Sequence, residues 1–227
     1  MIAMTRSEPL RRLFWLTLFG VAFGYLEAAV VVYLRELYYP QGFGFPLALP
    51  ITRVLYVELG REMATLVMLG SVAHLAGRNF WQRFGVFCFL FGVWDLVYYV
   101  VLWGVLRWPE TLFTWDILFL LPLIWAGPVI SAVLVAVSLI LAGGILILGS
   151  ETPTPDRWAW IGAAVSIALL LGAFMANHGA VRTGVEPNGF PWIAYGAGLV
   201  IGWGAFLRAL PGKTNGLLLR PIQLRQE

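Results

Sequence analysis

Six apolar stretches, each about as long as a bilayer core is thick, constrain the fold of this chain more than any other feature. A helix rises about 1.5 Å per residue, so about 20 apolar residues cross a hydrocarbon core of about 30 Å. The stretches run over approximately residues 13–37, 51–76, 84–106, 128–148, 158–177 and 192–210. In 227 residues they leave room for short connections and for no separate soluble domain. Hydrophobic side chains make up 60% of the chain and charged ones only 12%, whereas soluble domains carry roughly 25% charge. The sequence therefore predicts an all-α integral membrane protein, a single polytopic domain of six transmembrane helices.

Charge sets the expected orientation. Arg6, Arg11, Arg12, Arg78, Arg83, Arg157, Arg208, Lys213, Arg220 and Arg225 fall on one side of such a bundle, and Arg35, Arg53, Arg107 and Arg182 on the other. Basic residues accumulate on the cytoplasmic side, which predicts both termini in the cytoplasm and a multi-pass protein of the cell (inner or plasma) membrane. The same bias accounts for the formal charge of +3 through topology and anionic lipid, so the bilayer is the expected partner and nucleic acid is not implied. A basic start before an apolar run is also the layout of a signal peptide. Here the run is too long, carries Glu27, and meets no polar mature sequence after Ala28-Ala29-Val30, so it reads as a membrane helix.

One stretch is too long for a single crossing. Residues 111–148 must break, and Pro122 and Gly127-Pro128 are the natural points because proline lacks an amide hydrogen and collides with the preceding turn. The expectation is a short interfacial or re-entrant helix over residues 112–125 before span four, with Trp115 and Asp116 above the bundle as part of a lid. Gly44-Phe45-Pro46 returns as Gly189-Phe190-Pro191, which reads as two similar helix entries with an interfacial aromatic. Phe23-Gly24-Tyr25-Leu26-Glu27 parallels Phe91-Gly92-Val93-Trp94-Asp95, and each glycine would let a neighbouring backbone approach the turn before its acid. Spans five and six hold no ionisable residue in their interiors. Their Gly-rich face, with Ala194, Gly198 and Gly202 in one stripe, predicts close packing within the chain or a homo-oligomer or larger complex.

Glu27, Glu58, Arg61, Glu62 and Asp95 lie inside the apolar stretches. A charge in hydrocarbon costs at least about 2.5 to 3.5 kcal/mol, so such residues face a protein interior and mark a site. Glu27, Glu58 and Asp95 fall about 20 Å from the cytoplasmic boundary, and Glu62 one turn deeper, so the four acids can meet. Glu58 and Glu62 share a helix face at i, i+4, with Arg61 beside them. Four carboxylates against one guanidinium require bound protons, a cation or entering water. An all-carboxylate set suits a hard divalent cation, for which Glu27, Glu58, Glu62 and Asp95, with His178, are the candidate ligands. Tyr98, Tyr99, Asp116 and Trp125 are candidate substrate contacts, with Tyr33 and Tyr56 as plausible neighbours.

Other chemistries are narrowed by what the chain lacks. Lys213 is the only lysine and lies in the tail, which excludes a retinal Schiff base in the membrane. His74 and His178 belong to opposite ends, which argues against a shared haem. Cys88 is alone and reads as a packed thiol. Polar residues cluster in the outer half of the spans and thin out toward the cytoplasm. One-sided access suits a membrane-embedded enzyme, with Glu62, Asp95, Glu27, Glu58 and Arg61 as catalytic residues acting by acid–base or divalent-metal-assisted chemistry on a lipid or other apolar substrate. The alternatives are a proton- or cation-coupled small-solute transporter and an accessory subunit of a membrane complex.

Overall fold

The computed structural model describes residues 7–39, 53–149, 152–185 and 187–211. Its elements in chain order are α1 (Ser7–Tyr38), α2 (Arg53–Ala76), α3 (Phe80–Leu106), β1 (Trp115–Phe119), β2 (Trp125–Pro128), α4 (Val129–Leu148), α5 (Arg157–Met175), α6 (His178–Arg182) and α7 (Trp192–Ala209). Five stretches, in α1, α3, α4, α5 continuing through α6, and α7, are long and apolar enough to cross a membrane. α2 is as long, but Glu58, Arg61 and Glu62 lie along it and it is not among the five. The Gly44-Phe45-Pro46 segment lies outside the described residues.

α3 is the centre of the bundle. It packs on α1, α2 and α4, while α5 and α7 form a separate pair. Glycine sets these distances. A Cβ on Gly24 would stand 2.7 Å from the Trp94 carbonyl oxygen, and one on Gly85 would stand 2.6 Å from Leu146 Cβ. Gly92 faces the Ala136 carbonyl on α4. Both glycines of the Phe-Gly-x-x-acid pattern thus admit a neighbouring backbone next to the turn that carries the acid. Gly198 and Gly202 meet Leu170 and Ser166 of α5, and the Ser166 hydroxyl donates to the Gly198 carbonyl at 2.7 Å. That stripe packs within the chain.

Between α3 and α4 the structure differs from the expected short helix over residues 112–125. The segment is an antiparallel hairpin pairing Trp115 with Pro128, Asp116 with Gly127, Ile117 with Ala126 and Phe119 with Trp125. The physical reason is proline spacing: Pro122 and Pro128 interrupt any helical ladder, whereas a turn and a strand end accept them. The hairpin also caps α4, because the Thr114 and Leu112 carbonyls accept from the Val129 and Ile130 amides at 3.0 and 2.8 Å. Those amides would otherwise be unsatisfied donors at a helix start. The described residues are consequently mostly helical, with one short hairpin where a helix was expected.

The hairpin rests on an aromatic cluster rather than lying free above the bundle. Trp125 stacks on Phe174, Trp115 meets Phe190 edge-on, and Tyr195 packs against Phe174 and Phe190. Phe190 of the Gly-Phe-Pro motif is buried there, so it is a core residue and not an interfacial one. The Tyr195 hydroxyl donates to the Ser131 carbonyl at 2.7 Å, which joins α7 to the first turn of α4. Cys88 is buried among the apolar residues of α3.

Candidate functional site

The polar side chains of α1, α2 and α3 gather at the hairpin end of the bundle, because these three helices alone carry acids at that level. Arg61 is the hub. Its Nε and Nη2 both donate to Glu58 Oε2, at 2.9 and 2.6 Å, and its Nη1 is ion-paired with Glu27 on α1. The Thr65 hydroxyl, buried one turn further along α2, donates to the second Glu27 oxygen at 3.4 Å. One guanidinium therefore holds two carboxylates from two helices.

Glu62, on the next residue, turns away from Arg61 and toward the hairpin. The Leu120 backbone amide donates to both of its carboxylate oxygens, at 3.1 and 2.9 Å. This amide follows β1, so the strand's exit is tied to α2 through a buried acid.

A second charged group lies across the hairpin. Asp116 is 2% exposed, accepts from the Tyr99 hydroxyl at 3.1 Å, and lies 3.6 Å from Arg35 Nη2. The Arg35 guanidinium stacks over the Trp108 ring with its centre 3.6 Å from the centroid. Burial pushes the Asp116 carboxyl up to about 6, although Arg35 and the Tyr99 hydroxyl pull it the other way. Asp95 is half-buried, has no hydrogen-bond partner among the described residues, and lies within electrostatic reach of Asp116. Tyr98 stands within electrostatic reach of both groups, facing Arg35, Arg61, Asp95 and Asp116.

Between the two groups lies a cavity of about 170 Å³. Glu58, Arg61, Glu62, Tyr98, Asp116 and Arg35 contribute its polar wall, and Val31, Leu34, Val54, Leu55, Ile117 and Leu120 its apolar one. Glu27 reaches it only through Arg61. Asp95 and Tyr99 lie behind its wall. Trp125 belongs to the aromatic cluster, Tyr33 and Tyr56 point outward, and His178 accepts at Nδ1 from the Ile124 amide at 3.3 Å in the hairpin. Among the described residues no three His, Cys, Asp or Glu side chains converge in a set that could hold a metal ion.

Arg35 is the cavity residue that sequence reasoning underweighted. As the last basic residue of the first stretch it counted as a flanking charge, yet it is buried in an ion pair with Asp116. The signal available was its pairing partner, an acid placed in an apolar run between two prolines.

Away from the cavity the bundle closes. Along the same face of α2 the residues after Thr65 are Leu69 and Ala73, both buried in a core with Leu16, Phe23, Val86, Phe89, Leu90, Val93, Trp94 and Ile147. The chain matches no protein-family model, no curated protein and no solved structure, so its chemistry rests on this geometry.

Proposed function

We propose that the chain is a six-span membrane protein with both termini in the cytoplasm, and that its cavity is an acid–base site opening to the opposite side. The observation that carries this reading is the one-sided cavity: ionisable groups line one wall, and an apolar plug lies beneath it. α2 is the sixth span, since its charges turn inward to Arg61, Glu27 and the hairpin while Tyr56, Val57, Met63, Val67 and Leu75 are exposed. Reporter fusions after Leu49 and Gly184 are expected to report the outside and one after Gln226 the inside. An inside report at Gly184 overturns the orientation.

In this site Glu62 is the proton-transferring carboxyl at the cavity wall, with Asp95 as its counterpart behind Tyr98. The Leu120 amide positions Glu62, and Tyr98 and Asp116 face the space a substrate would fill. Arg61 serves as the resident counter-charge of Glu27 and Glu58, since its guanidinium is already engaged by both. The volume is slightly above the roughly 150 Å³ that accommodates benzene, so it admits the reacting end of an amphiphile whose apolar remainder stays in the bilayer. Among the described residues no converging donor set for a divalent cation is present, so the proposed chemistry is acid–base.

The test compares total lipid extracts from membranes making the wild type or Glu62→Gln at equal levels. A lipid pool that changes with the wild type and not with the variant supports the enzyme. Movement of a solute into sealed vesicles without chemical change would replace it by a transporter, a reading the apolar plug disfavours. No difference in either measurement removes the functional reading.

A further inference from the structure

At the end of the bundle opposite the cavity, α1 begins beside the turn between α2 and α3, and arginines collect there. Asn79 caps α3 by accepting from the Gln82 amide at 2.9 Å, which fixes Gln82 in the first turn. The Gln82 side-chain oxygen accepts from Arg12 Nη1 at 3.3 Å and from the Arg78 amide at 3.2 Å. Arg83 Nε donates to the Gly77 carbonyl at 3.2 Å. Arg12 is thus held against the turn within electrostatic reach of Arg78.

Only Nη1 of Arg12 is used in this anchor. Its Nε and Nη2 are buried and have no hydrogen-bond partner among the described residues. These two nitrogens form the edge of a guanidinium whose parallel N–H bonds match two oxygens of a carboxylate or phosphate. Arg61 turns that edge to Glu58 and Arg208 turns it to Asp156. In Arg12 it is covered and lacks a partner among the described residues, beside a second arginine and at the start of a 27-residue helix whose dipole favours an anion. Leu10, Phe14 and Trp15 near the start of α1, and Phe80 and Phe84 near the start of α3, are exposed apolar side chains at this end of the bundle. A phosphate that carries acyl chains fits such a frame.

We propose that Arg12, with Arg78 and Gln82, binds the phosphate of an anionic phospholipid headgroup. The proposal rests on the membrane reading and is independent of the cavity's chemistry. Arg12 supplies the bidentate edge and Arg78 the second positive charge, and the exposed aromatic residues meet the chains. A zwitterionic headgroup would bring an ammonium toward Arg78 and bind less well.

Full-length protein, stripped of lipid in mild detergent, is titrated with phosphatidylglycerol, phosphatidylcholine or inorganic phosphate. Melting temperature and lipid retained in native mass spectra are followed. Phosphatidylglycerol is expected to bind and stabilise, and the other two are not. Arg12→Gln should weaken phosphatidylglycerol binding by about tenfold or more, the scale of lost charge-assisted hydrogen bonds. Arg12→Lys, which keeps the charge and loses the fork, should lose most of it, while Arg208→Gln at the same end should lose none. Equal binding of phosphatidylcholine, or wild-type binding by Arg12→Gln, overturns the proposal. An equal response to inorganic phosphate overturns the lipid assignment in favour of a soluble phosphate. If Arg12→Gln does not fold, Arg12→Lys and the wild-type lipid comparison decide alone. Failure of the membrane reading would look different: extraction without detergent, and no retention of either lipid.

Discussion

In the α1–α2–α3 corner α2 is held to α1 by buried charge, whereas the buried contact of the α5–α7 pair is made by small residues. α5 and α7 meet through Gly198, Gly202, Gly162 and Ala205, with one serine hydroxyl satisfied on a backbone carbonyl. α2 meets α1 through charges, Arg61 to Glu27 and Thr65 to Glu27. Close packing without charge is the economical way to hold helices together in an apolar medium, since buried ion pairs often gain little over apolar contacts of similar volume. The costlier solution in one corner, with a cavity beside it, is the contrast on which the proposed site rests.

The sharpest way to break this comparison is to remove the hub. Arg61→Gln leaves Glu27 and Glu58 buried without their counter-charge, and breaking a buried pair costs about 3 to 5 kcal/mol. Unfolding in detergent should show that loss, and adding Glu58→Gln should restore part of it, because the two residues share one interaction. A stable Arg61→Gln protein would mean that water already solvates these acids.

Asp116 gives a test with a direction. Its folded pKa, raised to about 6 by burial, lies above the unfolded value of about 3.8. Between those values the folded state binds more protons than the unfolded one, so stability falls as pH rises from about 4 to about 6 and is greater at pH 5 than at pH 7. A shift of about two units corresponds to an effect on the order of 3 kcal/mol. The slope of melting temperature against pH should flatten in Asp116→Asn. An unchanged slope would assign the titration to another group.

The packing side of the comparison is probed by glycine. Gly24→Ala forces a methyl against the Trp94 carbonyl, a backbone atom that cannot rotate away, and overpacking of this kind costs about 1 to 3 kcal/mol. Gly202→Ala meets the Ser166 side chain, whose hydroxyl can turn at the expense of its bond to Gly198, so a smaller loss is expected. Gly204→Ala has open space and should be neutral or slightly stabilising. Equal effects at all three positions in a denaturation series would show that the glycines do not set the helix distances.

The two regions were also unequally legible in sequence. Most helix ends were readable to within a few residues, the start of α1 excepted, because length and apolarity are local properties. The convergence of Glu27, Glu58 and Arg61 followed from depth, since residues at one level of adjacent helices meet. Asp116 and Arg35 were not readable as a pair. They are distant in sequence, and the run from Trp115 to Trp125 is too uniformly apolar to show whether it repeats every two residues or every 3.6. Pro122 was correctly read as a break, but a break alone does not distinguish two half-helices from two strands.

The smallest expected effect lies farthest from the cavity, in the exposed pair that ties α5 to α7. Asp156 caps α5 by accepting from the Ala159 amide at 2.9 Å, and the Arg208 fork donates to both of its oxygens. The hydrogen bonds from Arg208 and the Ala159 amide hold its carboxyl down at about 2, below the ordinary 3.8. Its contribution is therefore present above about pH 4 and lost as pH falls toward 2. Water and salt screen both partners, so Arg208→Gln should lower the melting temperature little, and less still at high ionic strength. Asp156→Ala removes the cap as well and should cost more than Arg208→Gln, yet far less than Arg61→Gln. If Asp156→Ala proved as damaging as Arg61→Gln, the α5–α7 pair would depend on charge as much as the cavity corner does, and the contrast that singles out the corner would fail.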